Sequence, residues 1–299
     1  MSSEPEDNFN DPIDHDKNFK ELISTFFLEF LELFLPEIAS TIDPGSIKFL
    51  QQEYFTDVVD GEKKIIDLLV EVKQSGRDAT FLIHLEAQAS SKSHFNRRMF
   101  HYFAILHQRH IKDIYPIVIF SFDQPYRPEE NTYKVEFPTR KVLEFSFESI
   151  QLNQLNWRDY LNQPNPIAAA LMAKMKIATA DRPKVKAECL RLLVTLKLNP
   201  AKTQLISKFV DTYLRLDVKE EQLFQAEIDT MDKVQKEAIM QTTTSWEEKG
   251  IEKGIEKGIE RERRSIALNM LKKEMPLETI AEVTRLTLVQ LQALQTESN

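Results

Sequence analysis

The stretch from Lys63 to Gln88 (KKIIDLLVEVKQSGRDATFLIHLEAQ) constrains this chain most. Ile65 to Val72 and Ala79 to Leu85 are two runs rich in β-branched and leucine residues, a composition that suits strands. Between them, Ser75-Gly76-Arg77-Asp78 supplies turn chemistry, with Gly76 free to take a positive φ. The pattern predicts a hairpin. Each run carries an acid among residues suited to burial: Asp67 in Ile-Ile-Asp-Leu-Leu, and Glu86 in Ile-His-Leu-Glu-Ala-Gln. Side chains alternate faces along a strand, so His84, Glu86 and Gln88 share one face, and the hairpin brings Asp67 alongside them. Glu71 lies two steps along the Asp67 face, nearer the turn, where solvation is expected.

Two neighbouring carboxylates with a carbonyl beside them form a hard oxygen site suited to Mg²⁺ or Mn²⁺. Such a cation can activate water and hold a phosphate oxygen, which is the chemistry of phosphodiester hydrolysis. The competing reading leaves Asp67 and Glu86 solvated at sheet ends. Spacing alone keeps both open.

Asp67, then Glu86-x-Gln88 on the next strand, then a helix carrying Arg98 and Tyr102, resembles the PD-(D/E)XK nuclease superfamily. The chain is more closely similar to the Rpn family of recombination-promoting, transposase-like nucleases, in its cyanobacterial-type branch. That similarity extends over Phe19-Lys20-Glu21-Leu22, the segment from Asn165 to Met175 (NPIAAALMAKM), and the repeats near the C-terminus. The resemblance implies a restriction-endonuclease-like α/β fold and a Mg²⁺- or Mn²⁺-dependent DNA endonuclease. Asp67 and Glu86 would hold the cation with the backbone carbonyl of Ala87. Gln88 would orient water or phosphate where the family's motif has lysine; an amide offers a dipole but no positive charge. Glu21 falls where a supporting acid is sometimes found, although a solvated helix face also accounts for it.

Composition narrows the alternatives. A chain of 299 residues, 42% apolar and 29% charged, has ample core for one large domain or two small ones and reads as a soluble globular protein. The single cysteine, Cys189, excludes an internal disulfide and fits a cytoplasmic location. The acidic N-terminus is unlike a signal peptide, and no apolar run reaches membrane-spanning length. None of the six glycines builds a phosphate-cradling loop, so no nucleotide cofactor is expected. A net charge of −8 argues against general coating of nucleic acid. Ala87 to Lys112, however, contains no acid and carries Lys92, Arg97, Arg98, Arg109 and Lys112. This is the place suited to meet DNA phosphate. Arg98 there either holds phosphate or pairs with a sheet carboxylate. His107 and His110, one turn apart, read as packing or surface residues before metal ligands.

In chain order, residues 1–16 read as a disordered N-terminus, and Lys17 to Leu35 as a helix with Phe19, Leu22, Ile23, Phe26, Phe27, Phe30 and Phe34 in a stripe. A first strand falls within Ile47 to Val58, ahead of an Asp60-Gly61 turn. Ser93 to His110 is helical, Tyr115 to Phe122 a buried strand, and Tyr133 to Phe137 and Val142 to Phe147 further strands. The nuclease-like domain therefore spans 17–150, a mixed sheet flanked by helices. An all-helical half follows over 151–241, with helices at Trp157 to Leu161, Pro166 to Ile177, Pro183 to Lys197, Lys202 to Leu216 and Leu223 to Gln241. A Lys-Gly-Ile-Glu repeat helix or linker occupies 242–265, its Ile251, Ile255 and Ile259 forming a stripe that suggests homo-oligomerisation. Residues 266–299 form a small helix-turn-helix-like module of two short helices, with Arg285 where the turn usually wants glycine. A rival from another class is a non-catalytic DNA- or protein-binding assembly protein on a degenerate nuclease fold.

Overall fold

The computed structural model describes residues 14–51, 54–56, 63–65, 67–76, 79–242, 263–271, 273, 275–287, 290, 291 and 294. The expectations for residues 1–13, for the Asp60-Gly61 turn and for the 249–260 repeat lie outside the described residues.

The chain is α/β. Its main sheet has five strands, β1 (Lys48–Phe49), β4 (Leu68–Lys73), β5 (Thr80–Gln88), β6 (Ile114–Phe120) and β9 (Glu148–Gln151), side by side in that order. The sheet is mixed: β1, β4 and β5 pair antiparallel, while β5, β6 and β9 pair parallel. β2 (Tyr54–Thr56) with β3 (Lys63–Ile65), and β7 (Thr132–Phe137) with β8 (Arg140–Ser146), make two separate hairpins. The turn between β4 and β5 places Gly76 at φ +74°, as its lack of a Cβ permits.

Three strand expectations are corrected. The run from Ile65 to Val72 is not one strand, because it is interrupted at Asp67 between β3 and β4. Asp67 turns its carboxylate onto the N–H of Ala87 on the neighbouring strand, so a side chain stands where the backbone ladder would continue. The first strand splits into the two-residue β1 and the separate β2. β9 adds a strand that the sequence does not signal, because its short Glu-Ser-Ile-Gln run has neither apolar alternation nor a continuous apolar stretch.

Helix α1 (His15–Thr25) starts earlier than expected, with Asp14 capping it by accepting from the N–H of Lys17. α2 (Phe27–Phe34) and the one-turn α3 (Pro36–Ala39) follow, and Phe19, Leu22, Ile23, Phe26, Phe27 and Phe30 are buried as their spacing requires. α4 (Phe95–His110) makes the crossover from β5 to β6. Its Phe95, Met99 and Tyr102 pack on Val118 and Phe120 of β6, on Phe122, and on Phe145 and Phe147, while Leu106 meets Leu69 and Leu82. That places Leu69 and Leu82, hence also His84, Glu86 and Gln88, on the sheet face that α4 covers.

Helix α5 (Pro166–Leu171) is buried along its whole length. Asn165 caps it by accepting from the N–H groups of Ile167 and Ala168, and also donates to the carbonyl of Glu29 at 2.8 Å. Ala168, Ala169 and Ala170 present small side chains, which suit the close approach of α2, α6 (Arg182–Thr195) and α7 (Pro200–Tyr213). Trp157 to Tyr160 is a short 3-10 turn, and the expected helix from Leu223 to Gln241 is instead α8 (Val218–Asp229) and a helix over 233–242, broken at Thr230. The change from strands to helices near residue 150 is not a break between compact units: α1 packs on α7 through Phe19 and Phe209, and residues up to Lys236 form one unit.

Residues from Glu237 form a second compact unit. Within it a helix over 263–271, unforeseen from the sequence, joins the Leu277–Thr284 helix and a turn beginning at Thr287; Ala267, Ile280, Leu291 and Leu294 form its core. A capping box opens this turn, with the N–H of Thr287 donating to Gln290 Oε1 and the N–H of Gln290 donating to Thr287 Oγ1. Arg285 takes the left-handed conformation at φ +58°. Among the described residues, no helix is long and apolar enough to cross a membrane.

Candidate functional site

β5 is buried from Leu82 to Gln88, yet that stretch includes His84, Glu86 and Gln88. Buried polar groups are costly unless hydrogen-bonded, so their partners define the site. His84 Nε2 donates to Glu86 Oε1 at 2.9 Å. The N–H of Asp67 donates to the same Glu86 oxygen at 3.4 Å, and the N–H of Ala87 donates to Asp67 Oδ2 at 2.7 Å. The pairing of Leu68 with Leu85 makes this possible, since it sets Asp67 next to Glu86 just beyond the end of the ladder.

Asp67 is electrostatically frustrated. Burial and then the Glu86 charge push its carboxyl up from 3.8 to about 8, against the stabilising N–H of Ala87. Asp16 adds to the rise and Lys20 opposes it, so α1 brings both charges near Asp67. A cation could replace the proton as the means of relieving this crowding. The described residues contain no group of three or more His, Cys, Asp or Glu side chains arranged for a metal. The end of the ladder brings together two carboxylates, from Asp67 and Glu86, and the backbone of Ala87. The Ala87 carbonyl accepts from Gln88 Nε2 at 3.3 Å.

Gln88 Oε1 accepts from Arg98 Nη2 at 2.8 Å, and the guanidinium lies over the Phe95 ring at 4.7 Å. Arg98 thus pairs with Gln88, the partner neither sequence reading named. Its Nε is buried without a hydrogen-bond partner, as is Nδ1 of His84. Lys92 and Arg97 are exposed, and Arg97 lines a groove of about 650 Å³ with His94, Asn96 and Glu130 to Lys134. Tyr102, a DNA-binding position by the nuclease resemblance, is buried in the core, its ring edge-on to His84 at 6.0 Å. Glu71 is held by an ion pair with Lys112. His107 stacks on Phe103 and bonds the carbonyl of Lys112, consistent with packing.

Glu21 is exposed. Lys20 and Ser24 of α1 are the residues that line a cleft of about 220 Å³ with Asp67, together with Phe49, Leu50, Leu68 and Leu69. The signal available in the sequence was the four-residue spacing of Asp16, Lys20 and Ser24, which puts them on one helix face; Glu21 is rotated off it.

No family model, curated protein or solved structure matches this chain.

Proposed function

We propose that this chain is a divalent-cation-dependent DNA endonuclease, with the restriction-endonuclease-like core of the PD-(D/E)XK class and a resemblance to the Rpn family. The observation that carries the reading is the convergence of Asp67 and Glu86 at the end of the β4–β5 ladder, bridged by the N–H groups of Asp67 and Ala87. Asp67, Glu86 and the Ala87 carbonyl would hold Mg²⁺ or Mn²⁺. Bound there, the cation supplies Lewis acidity at a phosphate oxygen and activates water. The chain's residues do the positioning: the N–H of Ala87 fixes the Asp67 carboxylate, His84 fixes Glu86, and Arg98 orients Gln88. Lys92 and Arg97 would take flanking DNA phosphates. Recombination or transposition as the setting, and homo-oligomerisation through the C-terminal helices, come from the family resemblance and the repeat stripe.

A second reading is favoured by the Arg98–Gln88 bond. It occupies the motif position with a neutral amide and ties up the nearest guanidinium, as suits a non-catalytic DNA- or protein-binding assembly protein. Incubating supercoiled plasmid with the protein and Mg²⁺ or Mn²⁺ separates the two. The nuclease reading expects nicking that chelator stops and Asp67→Asn reduces by at least about a hundredfold, a transition-state loss near 3 kcal/mol. DNA binding without any metal-dependent nicking in the parent protein would favour the assembly reading.

A further inference from the structure

The cleft beside Asp67 has two chemically distinct sides. Lys20 and Ser24 on α1, with Asp67, supply polar groups, while Phe49, Leu50, Leu68 and Leu69 supply apolar wall. Among the described residues Lys20 has no hydrogen-bond or ion-pair partner. Phe49 is a large aromatic on the edge strand β1 and is 41% exposed. Its ring meets Phe27 edge-to-face at 5.6 Å and 74°, a contact that steadies the ring while leaving that exposure. A cation next to an exposed aromatic matches a ligand with an anionic group joined to a flat apolar one. A strand of nucleic acid with unstacked bases has this character, because phosphate meets Lys and a base face meets an aromatic ring. A fully paired duplex keeps its base faces stacked on each other and has none to offer Phe49.

We infer that this cleft is a nucleotide subsite for an unpaired DNA strand, Lys20 taking a phosphate and Phe49 a base, beside the cation site. The inference rests on the nuclease reading for its setting and names the substrate class of that site: a single strand, a frayed end or a flap. Ser24, one turn on from Lys20, borders the same phosphate position.

Binding of the full-length chain to a fluorescein-labelled oligothymidylate and to a blunt duplex, followed by anisotropy in chelator, tests this without cleavage. Phe49→Leu should weaken the oligothymidylate about tenfold, within the range for one stacked base, and change duplex binding less than about twofold. Phe49→Trp should retain strand affinity. Lys20→Gln should weaken the strand and lower its log–log salt slope by about 0.7, the value for one phosphate on a single strand, and Lys20→Arg should restore both. Melting curves identify any variant that has lost its fold, and the conservative variants then carry the comparison. Unchanged strand binding in Phe49→Leu, or equal losses on strand and duplex, overturns the subsite. So does an unaltered salt slope in Lys20→Gln. Plasmid nicking by the parent protein is scored separately. Nicking with no Phe49 or Lys20 effect removes the subsite and leaves the nuclease reading standing; the reverse result keeps the subsite as a strand-binding site and removes the nuclease.

Discussion

Asp67 is the residue on which the site's energetics turn. Its folded pKa near 8 against 3.8 means that the folded, metal-free protein keeps a proton that the unfolded chain releases. The stabilising contribution is therefore complete below about pH 4, falls as pH rises, and is gone above about pH 8. Asp67→Asn, neutral throughout, should match the parent's Tm near pH 4 and exceed it by several degrees at pH 8. Equal pH dependence of melting in both proteins would contradict the assigned crowding. Gln88 poses the opposite problem. The position is nearly buried and already faces the Arg98 guanidinium, so Gln88→Lys brings two cations together. Thermal melting should show a loss of about 1–3 kcal/mol, recovered largely by adding Arg98→Gln. A Gln88→Lys protein as stable as the parent would show that the Arg98 bond does not fix this position. At this scale the Asp67, Glu86 and Gln88 juxtaposition was legible, because period-two alternation leaves little choice once a hairpin is read. The α1 contribution was not: neighbouring helix positions differ by about 100°, and the sequence pattern does not say which of Lys20 and Glu21 faces the sheet.

Elements were legible where periodicity was long. The stripe of α1 and α2, the crossover helix α4 and the apolar β6 all follow from spacing, whereas β9 and the break in the strand at Asp67 follow from tertiary pairing that local sequence does not carry. The start of α5 at Pro166 is legible in the sequence, but its full burial comes from three neighbouring helices. The end of α4 carries a local conflict of its own. Ile111 sits at φ +53° and is 86% exposed, a left-handed conformation that a β-branched residue adopts only under strain. Its N–H closes the helix onto the carbonyl of His107, the position where glycine is usual. Ile111→Gly should stabilise the protein by about 0.5–1 kcal/mol, the relief being partly offset by greater freedom of the unfolded chain. Denaturant melts check this, and a destabilised variant would mean that Ile111 makes packing contacts worth more than its strain.

The whole molecule divides at Lys236 and not at the change from strands to helices, since α5 and α7 complete the core beneath α1 and α2. A chain ending at Lys236 should therefore melt cooperatively, within a few degrees of the full-length protein, as expected for a unit with its own core. A truncation ending near residue 150 should not fold, because it strips the partners of Phe19 and Glu29. If the 236-residue chain instead failed to fold, the second unit would have to contribute to the first. The proposed function depends most directly on Asp67 and Glu86 acting together as one cation site. Calorimetric titration of Mn²⁺ into the full-length protein and into Asp67→Asn and Glu86→Gln addresses it directly. The account predicts saturable binding at one site in the parent and its loss in both variants, each still melting cooperatively. Identical titrations for all three proteins, or no binding by the parent, would contradict it.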